Sequence, residues 1–386
     1  MRENKRILVY YKEQHVGTIA LTADRKAAFE YNDEWIENGF SISPFSLPLK
    51  KQVFIPVKPY FNGLFGVFAD SLPDAWGNVL LNRILRKNHI NPDEITVLDR
   101  LAIVGNSGMG ALTYKPEYVL KAEAGFTDLD DLMQQCQKIL DTEYTEDTEN
   151  LDDLYLMGGT SGGARPKIMT EIDGESWIIK FPSRFDGMSV GKMEYDYAKC
   201  AVQCGIDMPE TRLFPAEKCP GYFGTKRFDR HDDGKRVHML TAAALLELDF
   251  NQPSLDYHAL MKLTKIMTRD NSHDMENMYR RMCFNVFAHN YDDHSKNFSF
   301  LYDEKTGMWR LSPAYDLTYS NTYYGEHTTT VDGNGTDPDK KELMAVGTAA
   351  GLSSKKCEMI ADKIRDCVEE MLGTDYVWLR KNRCRK

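Results

Sequence analysis

Asn290-Tyr291-Asp292-Asp293-His294-Ser295-Lys296-Asn297 decides how this chain is read. The stretch holds two carboxylates, an imidazole, an amine and a carboxamide. Apolar sequence flanks it, Met282-Cys283-Phe284-Asn285-Val286-Phe287-Ala288 before and Phe298-Ser299-Phe300-Leu301 after. Polar groups set beside a core need partners or a chemical task. Asp292 and Asn297 have the Asp-x-x-x-x-Asn spacing of a protein-kinase catalytic loop, in which the Asp takes the proton of an attacking hydroxyl and the Asn holds Mg²⁺. Another acid follows in Leu311-Ser312-Pro313-Ala314-Tyr315-Asp316-Leu317. Two carboxylates and a carboxamide at the ends of adjacent strands suit a hard cation held against phosphate. The same Asx residues also suit a turn capped by its own side chains, and the stretch alone leaves both readings open. It is not an EF-hand, because the Gly and Glu of that loop are missing. Nor is it a zinc site, since His289 and His294 have no Cys or third His at ligand spacing.

The rest of the composition narrows the classes. The chain has 386 residues, of which 42% are apolar, enough for two or three domains with a sizeable core. Its net charge is -10, which argues against a general nucleic-acid coat. A local basic patch exists at Arg380-Lys381-Asn382-Arg383-Cys384-Arg385-Lys386. Eight cysteines are scattered without a Cys-x-x-Cys pair, and they read as small core hydrophobes in a reducing compartment. The N-terminal residues lead straight into a strand pattern without a signal-like apolar region. No apolar run approaches the ~18 residues of a membrane span. A cytoplasmic protein with no membrane partner is the expectation.

Along the chain, residues 7–31 predict a β-hairpin and a third strand. Pro73-Asp74-Ala75-Trp76 opens a helix, and Gly105, Gly108 and Gly110 mark a turn rather than a Walker loop. A helix opening at Thr127 and an acidic connector at 141–150 follow. Then comes Gly158-Gly159-Thr160-Ser161-Gly162-Gly163-Ala164-Arg165-Pro166-Lys167. Such a loop bares backbone N–H groups that suit phosphate, and it equally suits a hairpin tip. Lys180 lies inside the apolar strand Trp177-Ile178-Ile179-Lys180-Phe181, and Glu194 on an amphipathic helix over 192–204. A strand Lys and a helix Glu form the kinase pair that grips α- and β-phosphates, while a lysine at an exposed strand edge is the ordinary alternative. Tyr222-Phe223-Gly224-Thr225-Lys226-Arg227-Phe228-Asp229 reads as a strand leaving this region. Helices are predicted over 255–267, 275–290 and 353–371. The order of parts is glycine loop, strand Lys, helix Glu, hinge strand, Asp-x-x-x-x-Asn and metal Asp. It predicts an α+β, bilobal protein-kinase-like fold, with an N-terminal mixed α/β subdomain and a mainly helical C-terminal lobe.

The chain resembles the HipA family of serine/threonine kinases, the toxins of HipBA-type toxin-antitoxin modules. The resemblance rests on Gly162-Gly163-Ala164-Arg165-Pro166-Lys167, Ile179-Lys180-Phe181-Pro182, Lys226-Arg227-Phe228-Asp229-Arg230, Asp292-Asp293-His294-Ser295-Lys296-Asn297-Phe298-Ser299 and Pro313-Ala314-Tyr315-Asp316. Phe68-Ala69-Asp70-Ser71-Leu72-Pro73-Asp74 extends it into the N-terminal region. It implies an N-terminal subdomain over 1–125, a kinase-like N-lobe over 126–235 and a helical C-lobe over 236–386. Lys180 would bind ATP phosphates with Glu194 as its partner, and Gly162, Gly163 and Lys167 would shape the phosphate loop. Arg227 and Phe228 would belong to the hinge, and His294 and Lys296 would line the nucleotide site. Asp292 would be the catalytic acid/base, and Asn297 and Asp316 would hold Mg²⁺. The family's self-inhibiting loop serine corresponds to Thr160, with Ser161 next to it; a threonine there departs from the common pattern. The resemblance also implies a HipB-like helix-turn-helix antitoxin, operator DNA contacted through that complex, and a protein substrate such as an aminoacyl-tRNA synthetase. Two competing readings are a small-molecule phosphotransferase on a kinase-like fold and a non-catalytic scaffold for an antitoxin and its operator. Retention of Lys180, Asp292, Asn297 and Asp316 weighs against the scaffold.

Overall fold

The computed structural model describes residues 4–118, 128–141, 151–160, 162–183, 186–231, 233–249, 252–322 and 325–376. Thr127, the connector 142–150, Ser161 and the basic tail 380–386 lie outside the described residues. The chain divides into two compact units. One comprises Met1–Gly191, Leu213–Leu240 and Ala244–Glu247; the other comprises Lys192–Arg212, Thr241–Ala243 and Leu248–Lys386.

In the first unit, β1 (Arg6–Tyr11) and β2 (Gln14–Leu21) pair antiparallel across the turn Lys12-Glu13. Both turn residues have positive φ, 46° and 65°. That conformation matches the right-handed twist of the two strands. With β3 (Ala27–Tyr31), β4 (Val53–Phe54) and β5 (Leu112–Lys115) they form a sheet of order β4-β3-β2-β1-β5. Alternation along β1 buries Ile7, Val9 and Tyr11, as a strand with one face on a core requires. The predicted hairpin and third strand are therefore present.

A second sheet has the order β6-β7-β9-β8, from β6 (Lys167–Ile172), β7 (Glu175–Lys180), β8 (Thr211–Phe214) and β9 (Tyr222–Lys226), and all but the start of β8 belongs to the same unit. Its buried Ile168, Trp177, Ile179, Phe181 and Tyr222 join one core with helices Ala75–Lys87, Leu129–Asp141 and Leu151–Gly158. Full burial of each large apolar side chain contributes roughly 1.5–3 kcal/mol, so this shared core resists separation of helix from sheet.

The second unit is mainly helical. Tyr257–Met267, Ser272–Phe287, Lys340–Ala349 and Ser354–Met371 are its principal helices, with the later part of Val190–Gln203. Asp256, Asn271 and Ser353 cap three of them through side-chain oxygens. The hairpin Ser299–Asp303/Met308–Leu311 supplies antiparallel structure. Three helix boundaries differ from the periodicity. Leu255–Asp256 is a short strand ahead of helix Tyr257–Met267, and the helix expected over 275–290 starts at Ser272 and stops at Phe287. His289 turns left-handed, with φ 53°, and the Asn290 amide folds back onto the Asn285 carbonyl at 2.9 Å. Among the described residues no helix is long and apolar enough to cross a membrane.

Candidate active site

The candidate residues of the first unit cluster around β6 and its preceding loop. Helix Leu151–Gly158 ends so close to β6 that a Cβ at Gly158 would lie 1.9 Å from the Lys167 carbonyl oxygen. The chain then passes helix Ala75–Lys87, where a Cβ on Gly77 would sit 1.7 Å from the Gly159 carbonyl oxygen. Only glycine permits that approach. Asp74, the residue capping this helix, makes no side-chain bond within it. Its Oδ2 instead accepts the Gly163 N–H at 3.2 Å, and the Trp76 N–H donates to the Gly163 carbonyl at 3.2 Å. The loop thus satisfies an amide that a helix start otherwise leaves open. Gly163 has φ +94°, a conformation costly for other residues. Thr160 is buried, and its hydroxyl donates to the Ser107 carbonyl. Ser161 falls outside the described residues.

Lys167 and Lys180 face each other in the antiparallel register of β6 and β7. Both are buried, at 4% and 8% exposure. Two like charges at opposed positions on a ladder disfavour each other, and burial adds a desolvation cost. Lys167 Nζ donates to the Gly162 carbonyl, joining the loop to the strand. Lys180 Nζ lies 5.6 Å from the ring centre of Phe223, its neighbour on β9.

Arg227 has a different environment. Its guanidinium bonds Asp229 at 2.9 and 2.8 Å and lies near the sulfurs of Met169 and Met109. Asp229 also accepts from Arg230 and from the Gly110 amide. Burial alone would push the Asp229 carboxyl up, but Arg227, Arg230 and that amide outweigh it and hold the group at about 2. Arg230 and Arg236 donate to the carbonyls of Gly108 and Gly110, so the glycine turn is a structural dock. The Arg227 charge is committed to this network. Phe228 follows it just beyond β9. A cavity of about 320 Å³ nearby is lined by Glu171, Glu175, Lys226, Arg230 and His231, and includes Arg227 but neither Lys167 nor Lys180.

In the second unit the loop after helix Ser272–Phe287 separates two adjacent acids. Asp293 is 1% exposed. Its carboxylate accepts from Tyr257 at 2.9 Å and from the Thr329 amide at 3.0 Å, and His327 Nδ1 lies 3.0 Å away. Asp292 points the other way, with a side chain 56% exposed and the His294 Nε2 at 3.9 Å. The Asn297 side-chain amide donates to the Asp292 backbone carbonyl at 2.8 Å. That bond fixes which end of Asn297 is occupied and leaves its oxygen as the end suited to a cation. Lys296 sits in the one-turn 3₁₀ segment Ser295–Asn297, and its carbonyl accepts the Tyr315 hydroxyl at 2.6 Å.

Asp316 is held in a left-handed conformation, φ 54°. Non-glycine residues there are uncommon and cluster at functional positions. Its carbonyl is reached by Asn290 Nδ2 at 3.5 Å, which links the start of one loop to the other. Arg281, fully buried, donates to the Ser312 carbonyl and to Asn277, bracing the segment that leads to Asp316. Glu194 is 1% exposed on helix Val190–Gln203, whose Tyr197 hydroxyl donates to the Ala288 carbonyl at 3.1 Å. Sequence reasoning missed Asp74, Gly77 and Ser107. Gly77 carried a readable signal, since glycine inside a helix costs about 1 kcal/mol and marks close approach.

The profile of the HipA-like C-terminal domain matches residues 159–372, and that of the HipA N-terminal domain matches residues 7–115. The chain belongs to the HipA family. The protein "Putative kinase Y4dM" of Sinorhizobium fredii (strain NBRC 101917 / NGR234) is 26% identical over 381 residues, 92% of this chain and 87% of that protein. "Putative kinase Y4mE" of the same strain is 25% identical over 346 residues, covering 82% and 77%. A chain in the solved Shewanella oneidensis MR-1 toxin-antitoxin complex of HipA, HipB and operator DNA superposes with a TM-score of 0.70. It is 16% identical, over 97% of this chain and 91% of that one. At that identity the likeness concerns the fold, and the fold of this HipA-family chain is the α+β, kinase-like one.

Proposed function

We propose that this HipA-family chain is a serine/threonine-protein kinase that uses Mg-ATP and acts as the growth-arresting toxin of a HipBA-type module. The observation that carries the reading is the opposed, buried pair Lys167 and Lys180 beside the glycine loop. Two buried ammonium groups opposed on one strand pair beside a glycine-rich loop suit a polyphosphate. Lys180, with Glu194 as the partner that orients it, and Lys167 with Gly162 and Gly163 hold the phosphates. Arg227 and Phe228 border the base, Arg227 through its backbone because its guanidinium is bound to Asp229. His294 and Lys296 line the nucleotide. Asn297 and Asp316 offer oxygen ligands that suit Mg²⁺, and bound Mg-ATP supplies the transferable phosphoryl group. Asp292, exposed while Asp293 is locked, accepts the proton of the substrate hydroxyl.

In this reading residues 1–125 form the N-terminal subdomain, 126–235 the nucleotide-binding lobe and 236–386 the catalytic lobe. Thr160, or Ser161 beside it, takes the regulatory phosphate. The partner is a HipB-like antitoxin through which operator DNA is reached, and the substrate is a protein such as an aminoacyl-tRNA synthetase. The test is incubation of the purified chain with Mg²⁺, γ-labelled ATP and a bacterial lysate. Label on discrete proteins, lost in Asp292→Asn, is expected. Label confined to small metabolites would replace the protein kinase with a small-molecule phosphotransferase. No transfer to any acceptor would sink the enzymatic reading.

A further inference from the structure

Three of the eight cysteines come together, although nothing in their spacing along the chain announces it. Cys200 is on helix Val190–Gln203, Cys204 follows its last residue, and Cys367 is on helix Ser354–Met371. Their sulfur atoms all lie within 4.8 Å of one another. Among the described residues this is the only group of three or more His, Cys, Asp or Glu side chains close enough to share an ion. Cys200 and Cys204 are fully buried, Cys367 is half-buried, and a fourth sulfur, Met371 Sδ, lies 3.8 Å from Cys367 Sγ at 39% exposure. The arrangement therefore has a closed floor and a thioether at its open rim.

The geometry points to a binding site for a soft monovalent cation, Cu(I), held by Cys200, Cys204 and Cys367 with the Met371 thioether beside them. The donor chemistry makes the choice. Thiolate and thioether ligands select soft ions, whereas a structural zinc site completes a tetrahedron with Cys or His, and this group contains no imidazole or carboxylate. Binding is a ligand exchange without change of oxidation state. Each S–H bond broken is replaced by a Cu–S bond, and the protons leave to solvent. Lys363 favours the charged form of Cys204, and the Arg280 guanidinium donates to the Cys204 carbonyl at 3.4 Å, so cationic groups stand near the developing charge. Glu370 near Cys367 works against it.

A packing role alone would need no convergence of sulfur, and a spontaneous disulfide needs a thiolate. Burial pushes the Cys367 thiol up to about 12, and the Cys200 thiol, then burial, holds Cys204 above its ordinary value. A bound ion would tie the end of the helix that carries Glu194 to helix Ser354–Met371.

The test is anaerobic titration of the full-length, metal-free chain with Cu(I) against a chromophoric chelator, with X-ray absorption on the loaded protein. One equivalent in an all-sulfur shell of at least three ligands is expected. Cys204→Ser and Cys367→Ser should each lower affinity at least a hundredfold, and Met371→Leu about tenfold. Cys136, Cys219, Cys283, Cys357 and Cys384 remain in these variants as an internal control for adventitious thiol binding. Circular dichroism checks that each variant is folded, and the shell of the unaltered protein reads the site even if one variant is not. Equal affinity in folded variants, fewer than three sulfur ligands, tighter binding of Zn(II) than Cu(I), or no binding with only peroxide-driven disulfide formation would overturn the assignment.

Discussion

The Thr160 hydroxyl donates its hydrogen bond to the Ser107 carbonyl oxygen at 2.7 Å, and Thr160 is 2% exposed. In this loop conformation the γ-oxygen faces a backbone acceptor and has no space for a phosphoryl group. A dianionic phosphate there would lose the donor and meet the carbonyl dipole in a dry site. Phosphorylation at Thr160 and the docked loop are therefore mutually exclusive. After incubation with ATP, mass spectrometry should find phosphate on this loop, and the modified protein should bind ATP at least tenfold more weakly by calorimetry. Phosphate found only elsewhere would reject self-inhibition by this route.

Asp292 and Asp293 should respond oppositely to the same change. Asp292→Asn should cut phosphoryl transfer by ~10²–10⁴-fold, the span of a positioned general base, with the melting temperature unchanged. Asp293→Asn should destabilise the fold by about 3 kcal/mol, because Tyr257, His327 and the Thr329 amide all converge on that buried carboxylate. Denaturant melts and initial rates on both variants separate the roles. A stable, fully active Asp292→Asn protein would refute the assignment.

Lys167→Met and Lys180→Met should each weaken ATP binding, and the double variant should lose less than the sum, since the opposed residues share one anion. Strict additivity would indicate two separate sites. Asp316→Ala should weaken Mg-ATP binding more than metal-free ATP binding, and equal losses for both forms would count against cation binding there.

Acid should unfold the first unit in two steps. Burial holds His238, whose Nε2 lies 2.8 Å from the Ile42 carbonyl oxygen, down at about 4 from an ordinary 6.5. Asp229 is held at about 2 from 3.8. Both groups take protons more readily when unfolded, so their contributions are complete above the unfolded values and fade as pH falls through the folded ones. His238 should cost stability between about pH 6.5 and 4, on the order of 3 kcal/mol, and Asp229 between about 4 and 2, on the order of 2 kcal/mol. Melts across pH should show the lower step vanish in Asp229→Asn and the upper one in His238→Asn.

DNA binding should depend on the partner. With a net charge of -10, the isolated chain should shift operator DNA poorly at physiological salt, and an antitoxin complex should bind it with a steep salt dependence. Deleting residues 380–386 should flatten that slope slightly and leave phosphoryl transfer intact. Tight binding by the chain alone in a gel-shift titration would overturn this division of labour.

Local pattern was enough for much of the fold. The β-branched and aromatic run Ile7–Tyr11 reads as a strand, and the helical spacing of Cys357, Ile360, Ile364 and Val368 marks a face that is buried in the structure. Such patterns are legible because a strand or helix turns its side chains at a fixed angle per residue. The Asp-x-x-x-x-Asn spacing was legible for the same reason, since Asn297 reaches Asp292 within one short turn. Boundaries were less so: the stop at Phe287 depends on the left-handed His289, which no periodicity encodes.

What the sequence determined by itself was the order of chemical parts and the elements that carry them. Only the tertiary structure decided which of two identical neighbouring acids is locked away, because the partners of Asp293 come from Tyr257, His327 and Thr329, far along the chain. It likewise decided that Lys167 opposes Lys180, that Asp74 and Ser107 hold the glycine loop, and that Cys200 and Cys204 meet Cys367. Contacts of this kind join residues whose separation has no period, so they exist only once the packed core has chosen which surfaces meet.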